Sequence, residues 1–127
     1  MIPQFRAWMK SLKWMCDVTN ISFDSKFVDI CQLGDTERHT EMSVEFDEID
    51  LMQSTDMVDR DGKIIFEGDI VKMSKDVYSE PTYYEIVRHY GGAYRLESIQ
   101  HGCELWLRHT DCVVVGNIYE NKELLDA

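Results

Sequence analysis

Short runs of apolar residues alternate with polar turn residues along the chain, at intervals of about ten positions. Residues 14–18, 26–31, 83–90 and 93–99 are rich in β-branched and aromatic side chains, and residues 21–24 alternate between apolar and polar positions. Both patterns are typical of strands. They predict a mainly β protein, a barrel or a sandwich, with little helix.

The N-terminal half is predicted to start with a β meander. Residues 2–8 predict an edge strand, because Pro3 cannot donate a hydrogen bond to a neighbouring strand. Turns are expected at residues 10–13 and 19–20, and Gly34-Asp35 is expected to end the meander. An exposed edge at 2–8 would also let two copies of the chain pair as a homo-oligomer.

The segment that follows has two interpretations. Residues 35–48 are polar and mostly acidic, which indicates a surface loop, and residues 49–53 predict a further strand. A helix over residues 41–53 is the alternative, because acidic residues tolerate helices. Three apolar residues in the loop alternate as in a strand: Met42, Val44 and Phe46.

Residues 59–71 contain two turn signals around a short apolar strand. Asp61-Gly62 predicts a hairpin, because Gly accepts positive φ and Asp can bond its own backbone. A strand at 64–66 follows, and Gly68-Asp69 then leads into another. We therefore interpret four residues as structural turn residues: Asp61, Gly62, Gly68 and Asp69.

The C-terminal half predicts a small barrel. Gly91-Gly92 is interpreted as a two-residue hairpin loop and Cys103–Leu107 as a half-buried strand. A short buried strand is expected at 113–115, followed by one or two helical turns at 119–125. The prediction is an SH3-like barrel in the C-terminal subdomain, residues 58–127, with an N-terminal β-rich subdomain over residues 1–57.

Length and composition place the chain among compact globular proteins. It has 127 residues, 44% of them hydrophobic, which allows one domain or two small subdomains with a core that needs no metal or disulfide. It contains no long apolar run and no secretory signal, so we expect a cytoplasmic protein without a membrane segment. Four cysteines without a CxxC pair are expected to be free thiols in that compartment.

The charge of the chain is acidic and unevenly distributed. The formal net charge is −11; residues 35–69 hold three bases and twelve acids, 3 − 12 = −9, and the other residues hold ten bases and twelve acids, −2. Nucleic-acid binding depends on Lys and Arg that release counterions, so this balance argues against it. The acidic 35–69 segment could instead be a solvated face, or bind a basic host or phage protein, or imitate the charge of DNA.

Several segments together resemble the YopX family. They are the N-terminal Ile2-Pro3-Gln4-Phe5-Arg6-Ala7-Trp8, then Leu51-Met52-Gln53-Ser54-Thr55, the turn region from Asp59-Arg60-Asp61-Gly62-Lys63 to Val71, and Gly116-Asn117-Ile118-Tyr119-Glu120 near the end. The resemblance covers nearly the whole chain. It implies a mainly β fold with a barrel-like C-terminal half, and a protein of phages and prophages of Gram-positive bacteria without an established biochemical function. It supplies no catalytic residues.

The candidate sites for chemistry each have a structural alternative. Five carboxylates could bind Ca²⁺ or Mg²⁺, although they lack the EF-hand spacing and Asp61 already has a turn role: Asp56, Asp59, Asp61, Glu67 and Asp69. Two cysteines and two histidines could hold zinc or pair as a nucleophile and base, although their spacing matches no standard site: His101, Cys103, His109 and Cys112. We therefore predict no metal, no cofactor and no catalytic residue.

Aromatic and arginine side chains could contact bases or phosphates. The aromatic set is more typical of cross-strand pairs and core: Phe5, Trp8, Trp14, Tyr83, Tyr84, Tyr90, Tyr94 and Trp106. Candidate phosphate contacts in the C-terminal half are Arg88, Arg95 and Arg108. The sequence thus favours a non-catalytic macromolecule-binding module of a phage or prophage. A metal-dependent hydrolase and an acidic inhibitor of a host protein are the alternatives.

Overall fold

The computed structural model describes residues 4–74, 76–89, 92–99 and 101–126. The chain is mainly β, and its sheets are antiparallel. It divides into two compact units, Met1–Gln53 and Ser54–Ala127. No helix among the described residues has the length and apolar character needed to cross a membrane.

The first unit is built on one antiparallel sheet. Its strands are β1 (Phe5–Met9), β2 (Trp14–Ser22), β3 (Phe27–Gln32), β4 (Met42–Glu45) and β5 (Ile49–Val58), which continues into the second unit. The strand order is β4-β3-β2-β1-β5. Apolar residues at alternate positions form the core on one face of this sheet, as the period of two requires: Ala7, Met9, Cys16, Val28, Ile30, Val44 and Ile49.

Two expectations for the first unit are wrong, and of the two interpretations of residues 41–53 the one with strands is confirmed. The strand at the N-terminus is central, because Ala7 pairs with both Cys16 and Leu51, so the proposed pairing of copies through its edge is lost. The predicted turn at 19–20 lies inside β2, where a bulge between Val18 and Asn20 absorbs the irregularity. Residues 41–53 form β4, the 3-10 turn Phe46–Glu48 and β5 rather than a helix. Ile2 and Pro3 lie outside the described residues.

The second unit contains a five-stranded antiparallel sheet in the described residues, in the order β10-β9-β8-β7-β11. A further strand, β6 (Ile64–Phe66), pairs with the later part of β5. The boundaries of the sheet strands are Asp69–Ser74 for β7, Pro81–Arg88 for β8, Tyr94–Glu97 for β9, Gly102–Glu104 for β10 and Val113–Asn117 for β11. The core consists of Ile65, Val71, Met73, Tyr84, Ile86, Leu96, Leu105 and Cys112.

The second unit differs from the prediction at three points. The described strands do not close into a barrel, so the SH3-like barrel is not confirmed. The predicted strand 103–107 ends at Glu104, and the chain continues as the helix α1 (Leu105–Arg108). Of the first two helical residues, Leu105 is buried in the core and Trp106 is 63% exposed. In β11, Val115 lies at a bulge and is also exposed, so that strand is only partly buried.

The remaining turns of the second unit agree with the segments expected to contain them. Gly92 has a φ of 84° between β8 and β9, whereas Gly91 of the predicted loop and Tyr90 of the predicted strand 83–90 lie outside the described residues. The 3-10 turns His109–Asp111 and Lys122–Asp126 flank β11. The second of these falls in the segment where terminal helical turns are expected.

Gly116 is the penultimate residue of β11, and it lies against Asn121. A Cβ added at Gly116 would come within 2.6 Å of Asn121 Cγ and 2.8 Å of its Cβ. Asn121 is held there because its Oδ1 accepts from the Asn117 N–H at 3.2 Å. We expect Gly116→Ala to lower the free energy of unfolding by about 2 kcal/mol, as overpacking does, in urea denaturation.

Gly102→Ala is the matched control for that substitution. There an added Cβ meets the end of the Glu97 side chain at 2.7 Å, and a long side chain can move aside. Equal losses of stability in the two variants would contradict the packing role of Gly116.

Candidate functional site

The loop after β5 is a hairpin closed by Asp59. The Asp59 N–H donates to Lys63 O at 2.9 Å and the Gly62 N–H donates to Asp59 O at 3.0 Å. Gly62 has a φ of 84°, a backbone angle that residues other than glycine rarely adopt. The result is a three-residue loop with Arg60 at its start, in the pattern of a turn followed by a left-handed residue.

The Asp59 carboxylate is the centre of a local network. It is 3% exposed. Its Oδ1 accepts from the Asp61 and Lys63 N–H groups, and its Oδ2 accepts from the Val114 N–H, each at 2.9 Å. Burial raises the pKa of this carboxyl, but the three hydrogen bonds and the Lys63 charge outweigh burial and lower it. Asp59 therefore joins the hairpin to β11 as a carboxylate.

The predicted turn residues lie in these two turns. Asp61 contributes its backbone N–H to the first turn, and its side chain is 65% exposed. At the second turn, Gly68 has a φ of 86°, its N–H donates to Ile86 O, and its C=O accepts from Ile118. Asp69 is buried, and its Oδ2 accepts from the Phe66 N–H at 2.8 Å. A structural role for these residues stays a prediction.

The carboxylates of residues 56–69 do not converge on one point. Asp59 and Asp69 accept backbone N–H groups, and Asp61 points to solvent. Glu67 lies 3.7 Å from Arg88 in an ion pair, and Asp56 lies 3.4 Å from the Ser54 hydroxyl. Within the described ranges, no group of three or more His, Cys, Asp and Glu side chains could hold a metal ion.

The cysteine and histidine candidates have other partners and raised rather than lowered thiol pKa values. His109 Nδ1 lies 2.8 Å from Val58 O, and the ring centroids of His101 and Tyr84 lie 6.1 Å apart in a T-shaped arrangement. Burial raises the pKa of Cys112 to about 12 and also raises the pKa of Cys103. Because the thiolate is the reactive form, neither cysteine has the lowered pKa of an activated nucleophile.

The arginine and aromatic candidates occupy different environments. Arg95 donates to Glu97 at 2.9 Å and to Glu104 at 2.6 Å, which neutralises it within the sheet. Tyr84 is fully buried in the core, whereas Trp106 is exposed on α1. Tyr84 and Trp106 therefore do not lie on one exposed surface. Arg108, however, lies in a groove that the sequence does not indicate.

This groove is a concave surface of the second unit with a volume of about 620 Å³. Its lining combines three basic residues, two acidic ones, one serine and five apolar ones: Arg60, Lys72, Arg108, Asp76, Asp111, Ser74, Met73, Val77, Pro81, Val113 and Val115. The volume lies in the range of about 300–1,000 Å³ that is usual for ligand pockets.

Strand register brings the groove residues together. Lys72 on β7 pairs with Val113 on β11 and with Tyr83 on β8, and Ser74 pairs with Pro81. Opposite residues of neighbouring strands project to the same side of a sheet. Lys72 is exposed whereas the flanking Val71 and Met73 are buried, so Lys72 and Val113 lie on the face away from the core.

Both acidic residues of the groove are engaged by neighbours. Asp111 Oδ2 accepts from Arg108 Nε at 2.8 Å, while Arg108 Nη2 donates to Ser74 O at 2.9 Å. Asp76 Oδ1 accepts from the Tyr78 N–H and the Ser79 hydroxyl, both at 2.9 Å. The guanidinium of Arg108 is thus held in a fixed orientation at the rim.

Sequence reasoning missed the groove because its residues are distant along the chain. Arg60, Lys72 and Arg108 belong to a hairpin, a strand and a helix, and only the β7–β11 and β7–β8 registers show the shared face. A sequence signal that could have indicated the groove is Lys72, which interrupts the apolar run Ile70-Val71-Lys72-Met73 in β7.

The fold is that of a mainly β protein with two compact units. Comparison of the chain with protein-family models identifies its family. The family model described as YopX protein matches residues 4–126, so the chain belongs to the YopX family. This confirms the resemblance seen in the sequence. None of the curated proteins compared with the chain matches it.

Two solved structures are similar over almost their full lengths. Protein EF1440 from Enterococcus faecalis is 30% identical, with 98% of this chain and 99% of that chain covered and a TM-score of 0.65. Protein yopX from Bacillus subtilis is 19% identical, with 96% and 97% covered and a TM-score of 0.62. The second likeness is evidence for the fold alone.

The network around Asp59 predicts a large effect of a small substitution. Asp59→Asn removes the charge and places an amide N–H₂ among backbone donors, so we expect a loss of about 2 kcal/mol in the free energy of unfolding at pH 7. Because the pKa of Asp59 is lowered in the folded state, its contribution is fully present above the unfolded pKa of about 4. It is lost as the pH falls through the folded value.

Urea denaturation from pH 7 to pH 3 measures both effects. Asp61→Asn is the control, since that side chain is exposed, and its expected change is within about 0.5 kcal/mol. A gap between Asp59→Asn and the unchanged chain that stays constant as the pH falls below 4 would disprove the electrostatic account.

Proposed function

We propose that the chain is a non-catalytic macromolecule-binding module that acts as a phage or prophage accessory protein in the cytoplasm of the bacterial host. The groove of the second unit is the observation that carries this proposal. Its basic rim and apolar lining supply two kinds of contact, ionic and hydrophobic, that binding sites combine. An SH3-like strand order in this unit stays part of the proposal, supported by the β7-β8-β9 meander.

The polar groups of the groove support binding rather than reaction chemistry. Asp111 is paired with Arg108, and Asp76 caps its own turn. No cysteine or histidine is among the described residues that line the groove. The described lining therefore has no Cys or His nucleophile, and its two carboxylates already accept hydrogen bonds from neighbours.

The acidic segment 35–69 supports a second candidate, the binding of a basic host or phage protein, including one that normally binds DNA. Glu37 is 75% exposed, and Glu41 is 38% exposed. Exposed clustered carboxylates accelerate encounter with an opposite charge. The two units share this segment, with residues 35–50 in the first and 56–69 in the second.

Site-specific crosslinking in lysogenic cells tests which surface binds. A photoreactive amino acid replaces Val77 at the groove, Glu37 in the acidic segment, or Ile99 as the control, a residue that is 85% exposed outside the groove lining. We expect a discrete protein adduct from position 77 that is absent from position 99, detected on denaturing gels and identified by mass spectrometry.

Each outcome has a defined meaning. An adduct from position 37 alone would transfer the function to the acidic segment. Identical adduct patterns at positions 77 and 99 would overturn the groove as the binding surface. Loss of the position-77 adduct when Arg108→Glu is added would locate the contact at the rim.

Thermal melts separate this proposal from a metal-dependent hydrolase built on the acidic cluster. A ligand that binds the folded state raises the melting temperature. We expect no shift with Ca²⁺, Mg²⁺, Mn²⁺ or Zn²⁺, because the carboxylates of residues 56–69 are dispersed among other partners. Stabilisation that disappears in Asp61→Asn or Asp69→Asn would instead favour the hydrolase.

A further inference from the structure

We infer that the occupant of the groove is an extended acidic segment of a partner protein that carries an apolar side chain between its acids. The inference rests on the proposed binding function and specifies its partner. Three features of the groove support it: the apolar lining, the local charge and the exposed turn at its rim.

The apolar lining is suited to one bulky aliphatic or aromatic side chain. Val113 and Val115 on β11 face the groove together with Pro81 at the start of β8. Val115 is 40% exposed, so its burial by a ligand would remove apolar surface from water. A highly charged ligand without apolar groups would leave this surface exposed.

The turn at residues 76–79 carries two exposed apolar side chains, Val77 in the groove lining and Tyr78 directly after it in the chain. Val77 is 90% exposed and Tyr78 is 94% exposed. Asp76 holds the turn through the Tyr78 N–H and the Ser79 hydroxyl, so its backbone is ordered before any partner binds. Tyrosine is enriched at binding hot spots because it buries a large area at low entropic cost.

The local charge selects for acids on the ligand. The described lining holds three bases and two acids, 3 − 2 = +1, in a unit with eight bases and fourteen acids over residues 54–127, 8 − 14 = −6. Arg108 is paired with Asp111, and Arg60 lies 3.9 Å from Asp61. The exposed Lys72 is therefore the principal partner for a carboxylate of the peptide.

A nucleic acid fits this arrangement less well than a peptide. Its affinity depends on many phosphate contacts along a continuous backbone. A strand that extends beyond the groove would meet the net negative charge of the unit, whereas a peptide can carry its acids only where the bases are. The apolar lining also has no counterpart in a phosphate backbone.

Selection from displayed random peptides tests the inference with the full chain. Peptides are selected on the unchanged protein after depletion on the bare support, and the enriched sequences are synthesised with a fluorescent label. We expect Asp and Glu on either side of a Leu, Ile, Val or Phe. Affinity measured by fluorescence polarisation is expected to fall about tenfold in Lys72→Glu and in Tyr78→Ala.

Matched controls separate the groove from general charge and apolarity. Lys122→Glu makes the same charge change on an exposed side chain outside the groove lining, and Ile99→Ala removes a comparably exposed apolar group. Both are expected to keep the affinity. Lys72 and Tyr78 are exposed, so their variants should fold, and thermal melts verify this.

Three results would overturn the inference. The first is a set of selected peptides that lacks acids. The second is equal binding to the unchanged protein and Lys72→Glu. The third is a labelled single-stranded DNA that binds more tightly than any peptide and loses affinity in Lys72→Glu. In that case the groove keeps its binding function, but its partner is a nucleic acid. By contrast, absence of any adduct from both position 77 and position 37 in cells removes the proposed function itself.

Discussion

The second unit depends on one buried carboxylate. Asp59 accepts three backbone N–H groups, two from its own hairpin and one from Val114, which lies 55 positions further along the chain. A buried carboxylate is costly unless hydrogen bonds replace its hydration, and these three do so. The same contact satisfies an N–H of β11, which is the end strand of its sheet among the described residues. One side chain therefore holds the hairpin in place and protects a sheet edge.

The groove depends on that attachment. Arg60 follows Asp59 directly, and its N–H donates to Cys112 O at 2.9 Å, so the backbone on both sides of the hairpin–β11 junction is paired. Val113 lies between these two contacts and opposite Lys72. The basic and apolar parts of the groove are thus placed by backbone hydrogen bonds rather than by contacts between flexible side chains. Preorganisation of this kind lowers the entropy lost on binding.

Local pattern predicted most strands, because alternation and β-branched residues report which face of a strand is buried. It failed where the result depended on a distant partner. No residue near Ala7 indicates that β1 has a second neighbouring strand, to which Leu51 belongs. The local pattern therefore predicts β1 as an edge strand. Asp61-Gly62 correctly marks a turn position, yet the carboxylate that organises the turn belongs to Asp59, whose contact with Val114 has no local signature. The groove was missed for the same reason, since it exists only through strand register.

The net charge of the chain does not predict the local charge of the groove, because it carries no information on which residues lie together. A total of −11 describes the field far from the protein, where ions screen individual charges. At physiological ionic strength that screening acts over about 8 Å, so a groove lined by Arg60, Lys72 and Arg108 can attract carboxylates locally while the rest of the unit repels polyanions. The two effects act at different ranges and therefore do not cancel. Acidic surroundings would then contribute to specificity, because a long polyanion must cross them and a short acidic segment need not.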